Sequence, residues 1–272
     1  MRTSGPLRAA ALVCAASLLT ILSGCGNNGT FKVPANAQTV TGNWKFATTG
    51  TPASASQIAA ISGALSGEND VVTGTLHTAA VVGQSSSQLC YATTSPITVS
   101  GTLATNNTLT LKSQSFDGNV LTISGTYDKS TQSLNDATFA ISGSCGVTAQ
   151  PMVALAYQPI SGTYTGTFVS VDGYQIPVTA QFTQTTTPDS TGTFHLTGSA
   201  TFPPDGCIAS PVVTDSVVTG DTFSATYTDA NTHAQVVATG SFNTDATTLT
   251  ISNYSLTGTG CTDTGHGSLT KQ

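Results

Sequence analysis

Apolar and polar residues alternate along much of this chain. Thr248-Leu249-Thr250-Ile251-Ser252 keeps a period of two, Leu109-Thr110-Leu111 does so over a shorter run, and Val120-Leu121-Thr122-Ile123 is similarly rich in β-forming residues. A period of two turns one set of side chains toward a core and the other toward water, the signature of a half-buried strand. Between the runs stand Gly67-Glu68-Asn69-Asp70, Asp117-Gly118-Asn119, Asp128-Lys129-Ser130 and Pro188-Asp189-Ser190. Glycine, asparagine and aspartate tolerate the positive φ of tight hairpins. Such turn signals recur about every 8–12 residues, the rhythm of an antiparallel barrel or sandwich. Ala53–Leu65 admits a helix through its alanines, but Ile58, Ile61 and Leu65 ahead of a turn favour a strand and hairpin.

The pattern occurs twice, in units of about 115 residues. Gly42-Asn43-Trp44-Lys45-Phe46 opens the first unit and Gly162-Thr163-Tyr164-Thr165-Gly166 the second. Gly74-Thr75-Leu76-His77 matches Gly192-Thr193-Phe194-His195, and Val99-Ser100-Gly101 matches Val218-Thr219-Gly220. Ile123–Tyr127 matches Ala238–Phe242, Cys90 matches Cys207, and Cys145 matches Cys261. The prediction is an all-β chain of two tandem antiparallel units with about eight strands each. An up-and-down barrel is favoured over a sandwich, because an eight-stranded meander closed on itself has no exposed edge. The units run over residues 40–157 and 158–272. The Gly-x-Trp of Gly42–Trp44 resembles the opening of avidin-like and lipocalin-like barrels, a likeness of shape that carries over no ligand or site.

The amino end has a different texture. Arg2 and Arg8 precede the apolar stretch Ala9–Leu22, which ends in Leu22-Ser23-Gly24-Cys25. The stretch is shorter than the roughly 20 apolar residues a membrane helix needs. A basic flank, a short apolar run and small residues before a cysteine describe a cleaved export signal, and the tetrapeptide resembles the lipobox of bacterial lipoproteins. That resemblance implies cleavage of residues 1–24, acylation of Cys25 and a lipid-anchored place in the cell envelope. Gly26 and Asn27, rather than an aspartate, follow the cysteine; this favours the outer membrane in a Gram-negative cell. Residues 25–39 are polar and read as a tether. In its Gly-x-Trp opening and paired-cysteine repeat the mature chain also resembles two-repeat, β-rich lipoproteins, which supplies a context and no activity.

Composition narrows the function classes. Only 7% of residues are charged and Glu68 is the sole glutamate, so the strong helix formers of an exposed helix are scarce. Without residues 1–24, five lysines face thirteen acidic residues, a formal charge of −8. An acidic chain with no basic cluster excludes nucleic acid as a partner. Once Cys25 is acylated, four cysteines remain in the mature chain. An even number in an exported protein points to disulfides. Three pairings are open, and the repeat favours one bridge per unit, Cys90–Cys145 and Cys207–Cys261.

No nucleophile elbow, zinc-protease helix, phosphate loop or calcium loop is present, so no catalytic residue, metal or cofactor is expected. His77 and His195 read as equivalent strand positions, either as half-exposed residues with satisfied rings or, with Trp44 and Tyr164, as ligand-binding groups inside the two barrels. Asp263 and His266 are the nearest thing to an acid–base pair, the basis for an envelope hydrolase as an alternative. Tyr174, in an Asp-Gly-Tyr turn, and Tyr91 are the aromatics expected to be exposed. The expected protein is a lipid-anchored envelope module with a binding or structural role. Its partners would be the membrane, through Cys25, and a glycan, a small hydrophobic ligand or an envelope protein.

Overall fold

The computed structural model describes residues 37–49, 58–80, 95–144, 146–203, 207–208 and 211–272. After a 3₁₀ turn at Ala37–Val40, eight strands follow: β1 (Gly42–Thr48), β2 (Ile58–Glu68), β3 (Val71–Ala80), β4 (Ile97–Leu103), β5 (Thr108–Ser113), β6 (Asn119–Asp128), β7 (Ser133–Gly143) and β8 (Val147–Tyr157). Each pairs antiparallel with the next, and β1 closes the circle on β8. A second closed barrel repeats the plan with β9 (Ser161–Ser170), β10 (Gln175–Gln184), β11 (Leu196–Thr201), β12 (Val212–Thr219), β13 (Thr222–Thr228), β14 (Gln235–Phe242), β15 (Thr248–Gly258) and β16 (Cys261–Lys271), closed by β16 on β9. The chain is thus all-β, two eight-stranded antiparallel barrels in tandem, the architecture that its alternation and turn spacing predict. The ambiguous stretch before Leu65 is strand from Ile58 onward.

Closing so few strands requires sharp bending, and glycine supplies some of it. At Gly240 the ladder slips its register against β15. A Cβ there would lie 2.0 Å from the Thr250 carbonyl oxygen, so only glycine lets the two backbones approach.

Inward-facing side chains fill the barrels. In the first, Trp44 stacks on Phe46 at 5.8 Å and meets Tyr127 at 6.1 Å, among buried leucines, isoleucines and valines from the other strands. In the second, Phe168 stacks on Tyr254 at 4.8 Å, and Phe182 bridges Tyr164 and Tyr227. The 3₁₀ turn lies across one end of the first barrel. Val40 is fully buried, the Trp44 indole N–H donates to its carbonyl at 2.7 Å, and the Tyr127 hydroxyl donates to the Thr39 carbonyl at 2.5 Å. Residues 37–39, placed in the tether by their polarity, therefore overlap the closing turn.

The second barrel stands end-on against the wall of the first. Its connections β10–β11 and β12–β13 and the start of β15 leave from one end, and that end meets the outer face of β1, β2 and β3. Asn43 points outward from β1 and makes two 2.7 Å bonds to one residue: its amide donates to the Gly220 carbonyl and its carbonyl accepts from the Gly220 N–H. Lys45 pairs with Asp221 at 2.6 Å. Ala64, outward-facing on β2, is buried in the second barrel's core, and Tyr157 meets Phe242 edge to face. The wall of one barrel is thus the floor of the other.

A disulfide joins Cys207 to Cys261 across 54 residues. Cys25, Cys90, Tyr91 and Cys145 lie outside the described residues.

Candidate functional site

The four residues that the sequence offers as ligand groups do not share a site. Trp44 and Tyr164 are fully buried. Their polar atoms are engaged by main chain, Trp44 with Val40 and Tyr164, through its hydroxyl, with the Ala246 carbonyl at 2.6 Å. Both fasten a barrel end to its wall. The histidines are not equivalent. His77 lies within β3, whereas His195 precedes β11 in the connection from β10. In the first barrel Val99 faces Gly74; in the second Val218 faces Phe194. Taking Val99 and Val218 as counterparts puts His77 level with Thr197. The shared Gly-Thr-x-His spacing is therefore a likeness of letters and not of position.

Both histidines nevertheless meet one turn, residues 189–193, at the seam between barrels. The Asp189 carboxylate organises it: Oδ1 accepts from the Thr191 N–H at 2.8 Å, the Thr191 hydroxyl at 2.7 Å and the Thr193 N–H at 3.1 Å. Oδ2 faces His195 Nε2 at 3.0 Å, while His195 Nδ1 faces the Ser216 carbonyl at 2.7 Å. From the first barrel, His77 Nε2 donates to the Thr191 carbonyl at 2.7 Å. Gly192, at φ +81°, lies against Thr75, where a Cβ would come within 2.4 Å of the Thr75 carbonyl oxygen. Beside this contact is a cleft of about 270 Å³, lined by β2, β3, Pro188 and Asp189.

This His–Asp pair is poorly suited to acid–base catalysis. Both partners of the His195 ring are acceptors only, so both ring nitrogens must carry protons and donate. The bond to Asp189 raises the imidazole pKa against the opposing effect of burial. The Thr191 hydroxyl, and after it His195, holds the Asp189 carboxyl well below the usual carboxylate range. While both bonds stand, no ring nitrogen is free to take a proton from a substrate. The pair expected from sequence, Asp263 and His266, is separated. The two lie three positions apart on β16 and so face opposite sides of the wall. Asp263 accepts from the Tyr254 hydroxyl at 2.6 Å, and His266 is exposed.

The free end of the second barrel presents a different chemistry. A cleft of about 350 Å³ runs between the β9–β10 turn and the β15–β16 hairpin, lined by Val171, Asp172, Ser255, Leu256, Thr257, Thr262, Asp263 and Thr264. The two most exposed large apolar side chains among the described residues, Val171 at 76% and Tyr174 at 71%, belong to that β9–β10 turn. Their turn is fixed by main-chain bonds from Gly173 N–H to the Ser170 carbonyl and from Val171 N–H to the Thr264 carbonyl, both 2.8 Å. Burial first, and then Asp263, raise the Tyr254 pKa, so its hydroxyl stays protonated and holds Asp263 in the floor of the cleft. The Cys207–Cys261 bridge ends one residue before Thr262, stapling the same rim. Tyr174 was legible in the sequence as a turn aromatic; its neighbours in the cleft were not, because they come together only when the barrel closes. Among the described residues no three His, Cys, Asp or Glu side chains gather to hold a metal ion.

No family model matches this chain, and no curated protein matches it. Among solved structures it is similar to EF1p2_mFAP2b bound to DFHBI, with 19% identity over 42% of this chain and 94% of the other and a TM-score of 0.30. It is also similar to kievitone hydratase from Nectria haematococca, with 9% identity over 89% of this chain and 92% of the other and a TM-score of 0.21. At those scores neither likeness bears on what this protein does.

Proposed function

We propose that this protein is a non-catalytic binding module of the bacterial cell envelope, tethered through lipid on Cys25, which takes a neutral glycan at the free rim of its second barrel. One observation carries the reading: at a rim stapled by a disulfide, an exposed tyrosine and valine share the turn that borders a cleft of hydroxyls and carboxylates. A tyrosine ring offers a flat apolar face for the C–H face of a pyranose. Asp172 and Asp263 accept from sugar hydroxyls, and the threonines both donate and accept. The cleft's size falls at the small end of ligand sites. Its carboxylates, on a chain of formal charge −8 after cleavage, disfavour anionic partners.

The test is an array of neutral and acidic oligosaccharides probed with the soluble chain from residue 26 onward. Wild type should retain neutral members, and Tyr174→Ala should lose about tenfold or more in affinity, the scale of one well-stacked ring. Binding of acidic members alone, or binding indifferent to Tyr174, overturns the reading. Labelling of the full chain with radioactive palmitate, abolished in Cys25→Ala, tests the anchor separately.

The alternative of a small ligand inside a barrel keeps one specific observation. The Thr78 hydroxyl, inward-facing on β3, is buried with no hydrogen-bond partner among the described residues. Native mass spectrometry that finds a co-purified small molecule would favour it.

A further inference from the structure

The seam between the barrels holds a device that the proposed glycan site does not use. We propose that His195 and Asp189 form a pH-operated latch on the seam cleft, closed when His195 is protonated and released as the pH rises.

The argument starts from the acceptors. The Ser216 carbonyl and the Asp189 carboxylate have no proton to give, so His195 makes both bonds only as an imidazolium. The neutral ring must surrender one. Either Nε2 turns a lone pair to the Asp189 carboxylate, or Nδ1 turns one to the Ser216 carbonyl. Both arrangements are repulsive at the observed 3.0 and 2.7 Å. Asp189 is also the hub of its turn, through its bonds to Thr191 and Thr193. A shift of Asp189 therefore moves the Thr191 carbonyl, which His77 holds from the first barrel, and Gly192, which rests on Thr75.

The rest of the seam is insensitive to this step. Asn43 with Gly220 involves no titrating group, and Lys45 with Asp221 stands beside it on β1, sharing no atom with the bonds of His195. The seam thus has a fixed side at β1 and a releasable side at β3. The cleft of about 270 Å³ opens on the releasable side, with Asp189 and Gly192 in its lining. Of the charged groups around His195, Asp189 lies on its own connection and Asp215 acts from β12; across the seam β3 contributes His77. Both carboxylates favour the closed, protonated state. Because the bound imidazole has a raised pKa, the latch is fully engaged below about pH 6.5, the ordinary imidazole value, and lost above the raised one.

Hydrogen exchange read by mass spectrometry on the full chain, at about pH 5 and about pH 8.5 and corrected for intrinsic rates, tests the latch. Peptides covering 189–195 and 73–78 should lose protection by about three- to tenfold at the higher pH, the scale of one charge-assisted bond near the surface. Peptides covering 42–46 and 219–222 should keep theirs. His195→Gln should show the released level at both pH values, and His77→Gln should retain the pH step. Three results would overturn the proposal: unchanged protection at 189–195 in wild type, equal loss across both sides of the seam, or a step that survives in His195→Gln. The wild-type comparison decides the matter even if a variant folds poorly.

Discussion

A single residue shows why identity alone misleads in a β-protein. Trp44 is the chain's sole tryptophan, which invites a ligand-binding role. Its place in an alternating strand specifies which wall face it takes but not what fills the space before it. In the folded protein that space holds Phe46 and Tyr127, and the indole N–H is bound to Val40. Trp44→Ala should therefore cost about 3–5 kcal/mol of stability, as large-to-small core changes do. Urea denaturation measures that cost, and rim binding assayed under native conditions should survive. Asn43 teaches the converse lesson. It is an outward strand residue that ought to face water, yet it is 2% exposed because its partner Gly220 arrives from 177 residues away. No local pattern encodes such a contact.

Strands, hairpins and closure were legible because they depend on local periodicity and turn chemistry. Asn69 and Asp117, read as turn residues, take φ of 57° and 48°. The counterparts Ile123 and Ala238 face Phe139 and Tyr254 in the two barrels. Where the reading slipped, at His195, the cause is also local. The β10–β11 connection is long, so a sequence match through it does not preserve strand register. The Cys207–Cys261 bridge and the expected Cys90–Cys145 pairing belong to this scale. Replacing Cys207 and Cys261 together by serine should cost about 4 kcal/mol in the chain-entropy view of a loop this long, read as a lower denaturation midpoint. For the first barrel, β3 ends and β4 begins at the same end at which β7 ends and β8 begins. A non-reducing peptide map should accordingly show Cys90 joined to Cys145, whereas a link from either to the second barrel would contradict the pairing.

At the scale of the whole molecule, one strand order occurs in two barrels with different surroundings. The first lends an outer wall to its neighbour; the second has one end sealed by that wall and an opposite end that the described residues of the first barrel do not cover. Repeated sequence predicts two similar units, but their docking depends on Asn43, Lys45, Ala64 and the 189–193 turn, which the sequence marks as strand or turn residues and not as an interface. The opposite rim presents a concave surface between the β9–β10 turn and the β15–β16 hairpin, and the function proposed above rests on that placement. Mapping backbone amide shifts by NMR, as neutral oligosaccharides from a cell-envelope polysaccharide digest are titrated in, reads the location of binding directly. The account predicts saturable shifts confined to residues 171–174 and 255–264. Shifts centred on Trp44 and Tyr164 in the barrel interiors, or none at all, would contradict it.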